Sequence, residues 1–477
     1  MMYNWRLSTF LIILYFFALT HELSVDLTEE RIKTLDEMIN TQMKEARLKN
    51  VGLVIVNQTH FLHTKIYGEG NKIETNRPFI LGSVSKSFTA LAILKSGIPL
   101  NKTLDKFDLK EYIDDEDAKE ITVSELLNHT SGLKSFSSTV GYKRGYFNYS
   151  NQGYALLGKI IEKENNNIKY HKYMEENIFG PAGMKNTYAQ YDDAIVESYD
   201  SFLGFITKYK NLKAEIGNGF YVPAGFISSS IEDMGKYIQY YYLNTSEYID
   251  KMVNTTVDNG YNQKYGMGIN FQNHNGIKIY KHAGETTSFL SLLTVIPEYN
   301  IGFFIVTNTH DTFCIEPTTK LLDNVEKFLL YDYFDPIHSS LLFYYHFTYD
   351  FEFLFIIGLY LMYLIISIVR KAKKTKYTWF IGVKGGFTFG LDLFFLILVP
   401  IFFINVFYTF DSSVRILTEG SKDIRFTVWS MFSIGVLTFI TKLVYLFIYK
   451  KFYDKNKDIK LKEDIGDKNY NLFDPGE

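Results

Sequence analysis

The chain has 477 residues and a formal net charge of -3, small for its length, with no basic stripe of the kind a nucleic acid demands. Its single cysteine, Cys314, rules out an internal disulfide and any cysteine-built metal site. Aromatic residues make up 17%, with 37 Tyr and 41 Phe, and the excess gathers after Tyr331, which points to contact with lipid.

In chain order, residues 1–6 carry one positive charge, at Arg6, and an apolar run from Leu7 to Leu19 follows, broken only by Ser8 and Thr9. Polar His21 and Glu22 come next. This is the pattern of a secretory signal over residues 1–20, and it falls short of the roughly twenty apolar residues that cross a bilayer. Removal near residue 20 and retention both fit it. Residues 21–335 have mixed polarity with regular turn signals, as expected of a globular domain. A helical pattern covers 27–50, and 51–57 and 61–67 read as two strands joined by a polar turn. The middle is helical and loop-rich. Strands return at 277–281, at 289–296, where Pro297 stops the run, and at 301–307. Strands at both ends with helices between them predict an α/β domain. Its one antiparallel sheet is closed by the two halves of the chain, flanked by helices and interrupted by a helical subdomain. Cys314, after the last strand, reads as a small apolar side chain.

Residues 351–449 hold three apolar runs, at 351–369, 387–408 and 426–449, each near the length that crosses hydrocarbon. The first loop between them contains Arg370, Lys371, Lys373, Lys374, Lys376 and Lys384 and no acid, and Lys450 and Lys451 follow the third run. The positive-inside rule places that loop and the charged tail, 450–477, in the cytoplasm. Residues 21–350 are then outside, where a signal segment would send them. Asp392 and Lys442 lie within the second and third runs. Either they face each other, or Lys442 snorkels to the interface and Asp392 marks a shifted boundary.

The chemistry concentrates in three places. Gly82 and Ser83 stand where a helix begins, and Phe88, Leu91 and Leu94 recur at helical spacing. Ser83 and Lys86, three residues apart, share one face of that helix. A serine hydroxyl becomes a nucleophile when a base takes its proton, and a lysine serves once burial populates its neutral amine. The Ser83 backbone N–H, free at a helix start, can meet a developing oxyanion. Ser131 and Lys134 repeat the spacing, but Gly132 follows the serine and no apolar helical run comes after it. Second, Tyr149, Ser150 and Asn151 precede the helical run through Tyr154, Leu157 and Ile161. Ser150 or Asn151 caps that helix, while Tyr149 is placed to relay protons and Asn151 to offer its amide to substrate. Third, His282, Ala283 and Gly284 end the strand 277–281. Gly284 leaves room for a substrate backbone, and the Glu285 N–H is a candidate second oxyanion donor.

Secondary landmarks lie between these motifs: Ile121 through the capping-box pair Thr122 and Glu125 to His129 and Gly132, then Pro181 to Met184, Pro223 to Gly225, and Tyr265 to Gly268. In this order the set resembles the serine β-lactamase and penicillin-binding-protein superfamily, closest to its class C and DD-peptidase-like branch, across residues 30–330. The resemblance implies a β-lactamase/transpeptidase-like fold with Ser83 as nucleophile, Lys86 as its base and Tyr149 as proton relay. Asn151 becomes a substrate contact, His282 and Gly284 the third motif, and His129 part of a structural loop. No metal or cofactor is implied. The expected protein is a membrane-anchored serine hydrolase outside the cell membrane. It acylates Ser83 with a D-amino-acid peptide, a peptidoglycan stem or a small ester, then passes the acyl group to water or an amine. Its partners would be that substrate and the bilayer, with no nucleic acid.

The sequence departs from the family at His282, where many relatives have lysine, and at Ala283, where a hydroxyl residue is common. A lysine offers a fixed positive charge to a substrate carboxylate, whereas a histidine with a pKa of ~6.5 is largely neutral at neutral pH. Weak demand for a carboxylate and poor β-lactamase activity follow. Two readings compete: a non-catalytic envelope receptor that binds a ligand with the same fold, and a three-span region with a task beyond anchoring. Asn57 and Asn254 head Asn-x-Thr acceptor sites, so a eukaryotic host stays open beside a bacterial one.

Overall fold

Thr28 accepts a hydrogen bond from the Arg31 N–H and so opens helix α1 (Glu29–Glu45), which buries Leu35, Met38, Ile39 and Met43 on one side. It ends five residues before the 27–50 pattern does, since Arg47 turns left-handed at φ 55°. Strands β1 (Asn50–Val56) and β2 (Phe61–Gly68) follow as a hairpin. The later strands are β3 (Val257–Asp258), β4 (Lys264–Tyr265), β5 (Asn270–His274), β6 (Ile277–Glu285), β7 (Leu290–Ile296) and β8 (Ile301–Thr307). They form one antiparallel eight-stranded sheet in the order β2-β1-β8-β7-β6-β5-β4-β3. The two halves of the chain meet at β1 and β8, where Val51 pairs with Thr307 and Val56 with Gly302.

This computed structural model describes residues 25–339, other than 69–72, 114, 203–204, 245, 261–262, 275 and 312–313, together with 358 and 362. The signal-like segment, the three apolar runs with Asp392 and Lys442, and the charged tail lie outside the described residues. Among the described residues no helix is long and apolar enough to cross a membrane.

Both faces of the sheet are covered, which is why β1, β7 and β8 are apolar runs rather than alternating ones. Leu53 and Ile55 of β1 and Phe303 and Ile305 of β8 pack with α1 residues and with Leu321, Val325 and Phe328. Those three belong to the last described helix, Glu316–Tyr331. Val54, Val56, Phe304 and Val306 point the other way, into a second core shared with the helical subdomain. At the centre of that subdomain is α2 (Ser85–Ser96), buried through Ile93 on every side. Its buried hydroxyl side chains are satisfied: Ser87 Oγ donates to Val84 O at 2.8 Å, Thr89 Oγ1 donates to Pro223 O at 2.7 Å, and Ser85 Oγ accepts from Ile227 N at 3.1 Å.

Three shorter pieces bring the motifs to α2. Helix α3 (Val123–Leu127) starts with the expected capping box, Thr122 Oγ1 accepting from Glu125 N at 3.2 Å and Glu125 Oε2 accepting from Thr122 N at 2.8 Å. Helix α4 (Asn151–Glu164) is capped by Ser150, whose Oγ accepts from Gly153 N at 3.1 Å. The single turn α5 (Val222–Gly225) closes the group.

Candidate active site

Ser83 lies in a 3₁₀ turn, Gly82–Val84, that runs directly into α2. The turn is pressed backbone to backbone against the end of β6. A side chain at Gly82 (φ +57°) would place its Cβ 2.4 Å from Glu285 N, and one at Gly284 would meet Leu81 O at 1.9 Å. Ser291 Oγ donates to the same Leu81 carbonyl at 2.7 Å and fixes it. The space at Gly284 is therefore filled by the chain's own Leu81 rather than by substrate, a correction to the sequence expectation. The Glu285 backbone nitrogen stands over the turn that presents Ser83. His282, Ala283 and Gly284 lie inside β6 rather than beyond it, because pairing with β7 continues as far as Glu285–Leu290.

Lys86 is completely buried. Its Nζ is 3.0 Å from Ser83 Oγ, 2.7 Å from Asn151 Oδ1 and 2.6 Å from Ala224 O. Two of those partners can only accept. A neutral amine would donate its two N–H groups to Asn151 and Ala224, leaving its lone pair for the hydroxyl proton of Ser83. Burial pushes the Lys86 pKa well below its ordinary value. The faces of Tyr149 and Tyr154, 4.6 and 5.6 Å from Nζ, favour a cation, but they do not replace lost water. Asn151 is thus the side chain that holds Lys86. Its Nδ2 donates to Ser135 Oγ at 3.2 Å, so the amide expected to meet substrate has a partner within the protein.

Tyr149 stays 36% exposed, open to a ligand, and its hydroxyl engages the Ser83 side chain. Burial raises its pKa, with the Ser83 bond opposing and the Glu285 charge adding to the rise. The proton therefore stays on the phenol until a reaction calls for it. The amine of Lys86 meets the ring face of Tyr149. His129 braces the same ring at a centroid distance of 4.2 Å and accepts the Ser150 N–H on Nδ1 at 3.1 Å. It adopts φ 57° and touches Tyr154 and Tyr265 as well, so it is a support for Tyr149, as its place in a structural loop implied. Burial drives its pKa well down.

His282 is only 4% exposed. Its Nδ1 is 2.6 Å from Ala283 O, an acceptor, which assigns the ring hydrogen to Nδ1 and leaves Nε2 to face the Tyr265 hydroxyl at 3.1 Å. Burial, helped by Lys86, lowers its pKa to about 3 against the pull of the Ala283 bond. The ring is neutral, as expected, and supports the cleft from behind. Ser131 and Lys134 form no pair: Ser131 Oγ accepts from Leu133 N at 3.3 Å and Lys134 O accepts from Ser150 Oγ at 3.0 Å. Cys314 is buried, and burial lifts its thiol pKa to about 12. Among the described residues no three His, Cys, Asp or Glu come close enough together to hold a metal ion.

The sequence reading missed Ala224, Ser135, Tyr265 and His310. Ala224 acts through a backbone carbonyl and leaves no side-chain signal. Tyr265 opens a landmark already noted, but its pairing with His282 is a tertiary contact that the sequence does not signal.

A family model described as Beta-lactamase matches residues 35–320. Beta-lactamase-like protein 4 of Dictyostelium discoideum is 24% identical over 332 residues, 57% of this chain and 58% of that one. Penicillin-binding protein 4* of Bacillus subtilis (strain 168) is 33% identical over 153 residues, 25% of this chain and 32% of that one. The chain spans less than two thirds of the length of these curated relatives. Among solved structures, the octameric penicillin-binding protein homologue from Pyrococcus abyssi matches with a TM-score of 0.52 at 23% identity, over 63% of this chain and 77% of that one. D-alanine carboxypeptidase AmpC from Burkholderia cenocepacia matches with a TM-score of 0.52 at 16% identity, over 62% of this chain and 98% of that one. At such identities these likenesses establish the fold and leave the activity to the site.

Proposed function

The chain belongs to the Beta-lactamase family, and from that premise we propose that it is an acyl-transfer serine hydrolase with Ser83 as nucleophile and Lys86 as base. The observation that carries this is the Lys86 amine, buried, held by two acceptors and aimed at Ser83 Oγ at 3.0 Å. Ser83 Oγ attacks the carbonyl carbon of an amide or ester while its proton passes to Lys86 Nζ. The carbonyl oxygen takes up the negative charge and faces the backbone N–H groups of Ser83 and Glu285. As the C–N or C–O bond breaks, the leaving group takes a proton from the Tyr149 hydroxyl, which Lys86 makes good. Water or an amine then attacks the acyl-enzyme by the reverse proton route.

The substrate classes that suit this site are D-amino-acid peptides, peptidoglycan stems and small esters. Neutral His282 offers no fixed charge to a carboxylate, so turnover of penicillins is slow. We place the catalytic domain outside the cell membrane, tethered by the runs at 351–369, 387–408 and 426–449, with the tail in the cytoplasm. The signal-like segment and the acid-free basic loop support that placement. Its partners are a small or peptide substrate and the bilayer, with no nucleic acid.

The test is covalent labelling of the full chain and its Ser83→Ala variant with a fluorophosphonate and a fluorescent penicillin, followed by an ester and D-Ala-D-Ala panel. Ser83-dependent labelling by the fluorophosphonate alone supports an esterase-like enzyme, and labelling by both supports a peptidase. Labelling by neither rejects the hydrolase and returns the chain to a ligand-binding receptor. Protease protection of intact cells tests the topology: cleavage of the domain only after lysis contradicts it.

A further inference from the structure

The start of α4 is gripped by residues 134 and 135. Ser150 Oγ donates to Lys134 O at 3.0 Å, Asn151 Nδ2 donates to Ser135 Oγ at 3.2 Å, and Gln152 N donates to Ser135 O at 2.7 Å. Two of these bonds end on backbone carbonyls, which any residues at 134 and 135 would supply. The other needs the Ser135 hydroxyl, and it reaches the side chain that holds Lys86. The Asn151 amide is thus bonded at both ends, Oδ1 lying 2.7 Å from Lys86 Nζ and Nδ2 facing Ser135. The last torsion of an asparagine is soft, so a bond at one end alone leaves the amide free to swing. A neutral amine turns as easily about its own Cε–Nζ bond. Its lone pair points at Ser83 Oγ only while both N–H groups are engaged, one by Ala224 O at 2.6 Å and the other by Asn151 Oδ1. If Oδ1 swings away, Nζ turns an N–H toward Ser83 Oγ and the hydroxyl proton loses its base. The Ala224 carbonyl belongs to the backbone and has no such freedom.

We propose that Ser135 is a positioning residue for acylation: by accepting from Asn151 Nδ2 it fixes the Asn151 amide, and through that amide the direction of the Lys86 lone pair. The inference rests on the reading of Ser83 as nucleophile and Lys86 as base given above. Side chains bonded in a row act as a unit, so once Asn151 is gone the Ser135 hydroxyl has nothing left to hold and its removal should cost little more.

The test is a double-mutant cycle on the full chain: parent, Ser135→Ala, Asn151→Ala and the two together. Fluorophosphonate labelling rate is followed across pH, with the thermal midpoint beside it. Ser135→Ala keeps both carbonyl bonds to α4 and the bond from the Tyr221 hydroxyl to Gln152 Oε1 at 2.8 Å, so the helix stays in place. Asn151→Ala puts a good helix former in the first turn and leaves the Ser150 cap intact. Ser135→Ala should slow labelling about tenfold in the parent and by less than about twofold in Asn151→Ala. The pH at which labelling levels off should move in Ser135→Ala from its parent value toward that of Asn151→Ala, a shift that a loss of packing alone would not produce. A Ser135→Ala rate within about twofold of the parent, the same loss in both backgrounds, or an unmoved pH profile overturns the proposal. Labelling that persists in Ser83→Ala, or stays as fast in Lys86→Met, refutes the reading of the site instead. Labelling that needs both Ser83 and Lys86 while the cycle is additive refutes only the positioning by Ser135.

Discussion

Replacing Gly284 by alanine tests whether the site is assembled by contact between backbones. A β-carbon at position 284 would stand 1.9 Å from Leu81 O and 2.5 Å from Ser291 Oγ, both well inside the 3.0 Å that real Cβ atoms respect. The carbonyl cannot swing aside, because Ser291 Oγ donates to it at 2.7 Å and the Leu81 N–H is bonded to Ile227 O at 2.9 Å. The end of β6 must therefore lift by about 1 Å, carrying the Glu285 N–H away from the turn that bears Ser83. Overpacking of this kind costs about 1–3 kcal/mol, which a domain with two large cores survives. Losing one oxyanion donor, or displacing it by that distance, slows chemistry by about 10²–10³-fold. Fluorophosphonate labelling rate and the thermal midpoint, measured together, should show that large loss of rate beside a modest loss of stability. Adding Ser291→Ala should not restore the rate, since the Leu81 carbonyl still blocks the methyl group. A labelling rate within threefold of the parent, or rescue by Ser291→Ala, would refute the reasoning.

Two further outcomes concern stability. His282 has its folded-state pKa lowered to about 3 from the ordinary 6.5, so the unfolded chain binds the extra proton between those values. Its contribution to stability is complete above pH 6.5 and is lost as the pH falls toward 3, by about 1.4 kcal/mol per pH unit. Urea midpoints at pH 7 and pH 5 should converge in His282→Asn relative to the parent, and an unchanged difference would show that His282 does not titrate as its burial requires. Thr122→Ala removes the capping box of α3 and should lower the unfolding free energy by about 1 kcal/mol. Its labelling rate should stay within twofold, because α3 meets the site through its far end, where Leu127 O accepts from the Tyr154 hydroxyl at 2.7 Å, and the capping box lies at the other end.

The parts of the fold legible in the sequence were those where periodicity and burial agree. The runs at β1, β7 and β8 are mostly apolar and, beyond Asn50, buried at every position because helices cover both faces, and strands placed there from sequence match within a residue. The close of the sheet by the two ends of the chain followed from their placement. β6 was cut short at residue 281 because Ala283 and Gly284 weaken its strand signal; pairing with β7 overrides that local preference. At the site, the meeting of Ser83, Lys86 and Tyr149 follows the order of motifs and the family resemblance they carry. The contact of Asn151 with Lys86 was not foreseen, because it depends on where α4 sits against α2, which no local pattern encodes. The Ala224 carbonyl and the Glu285–His310 pair arise from tertiary packing alone, the latter joining residues 25 apart in the chain.

The most direct test follows the protonation of one amine. Mass spectrometry of the full chain after fluorophosphonate treatment should place the adduct on Ser83, with a labelling rate that rises with pH as Lys86 loses its proton. Because burial lowers the Lys86 pKa, that rise should level off well below pH 10.5, and Lys86→Met should slow it by about 10²–10⁴-fold. A rate still climbing at pH 10.5, or an adduct formed as fast without the lysine, would contradict the account.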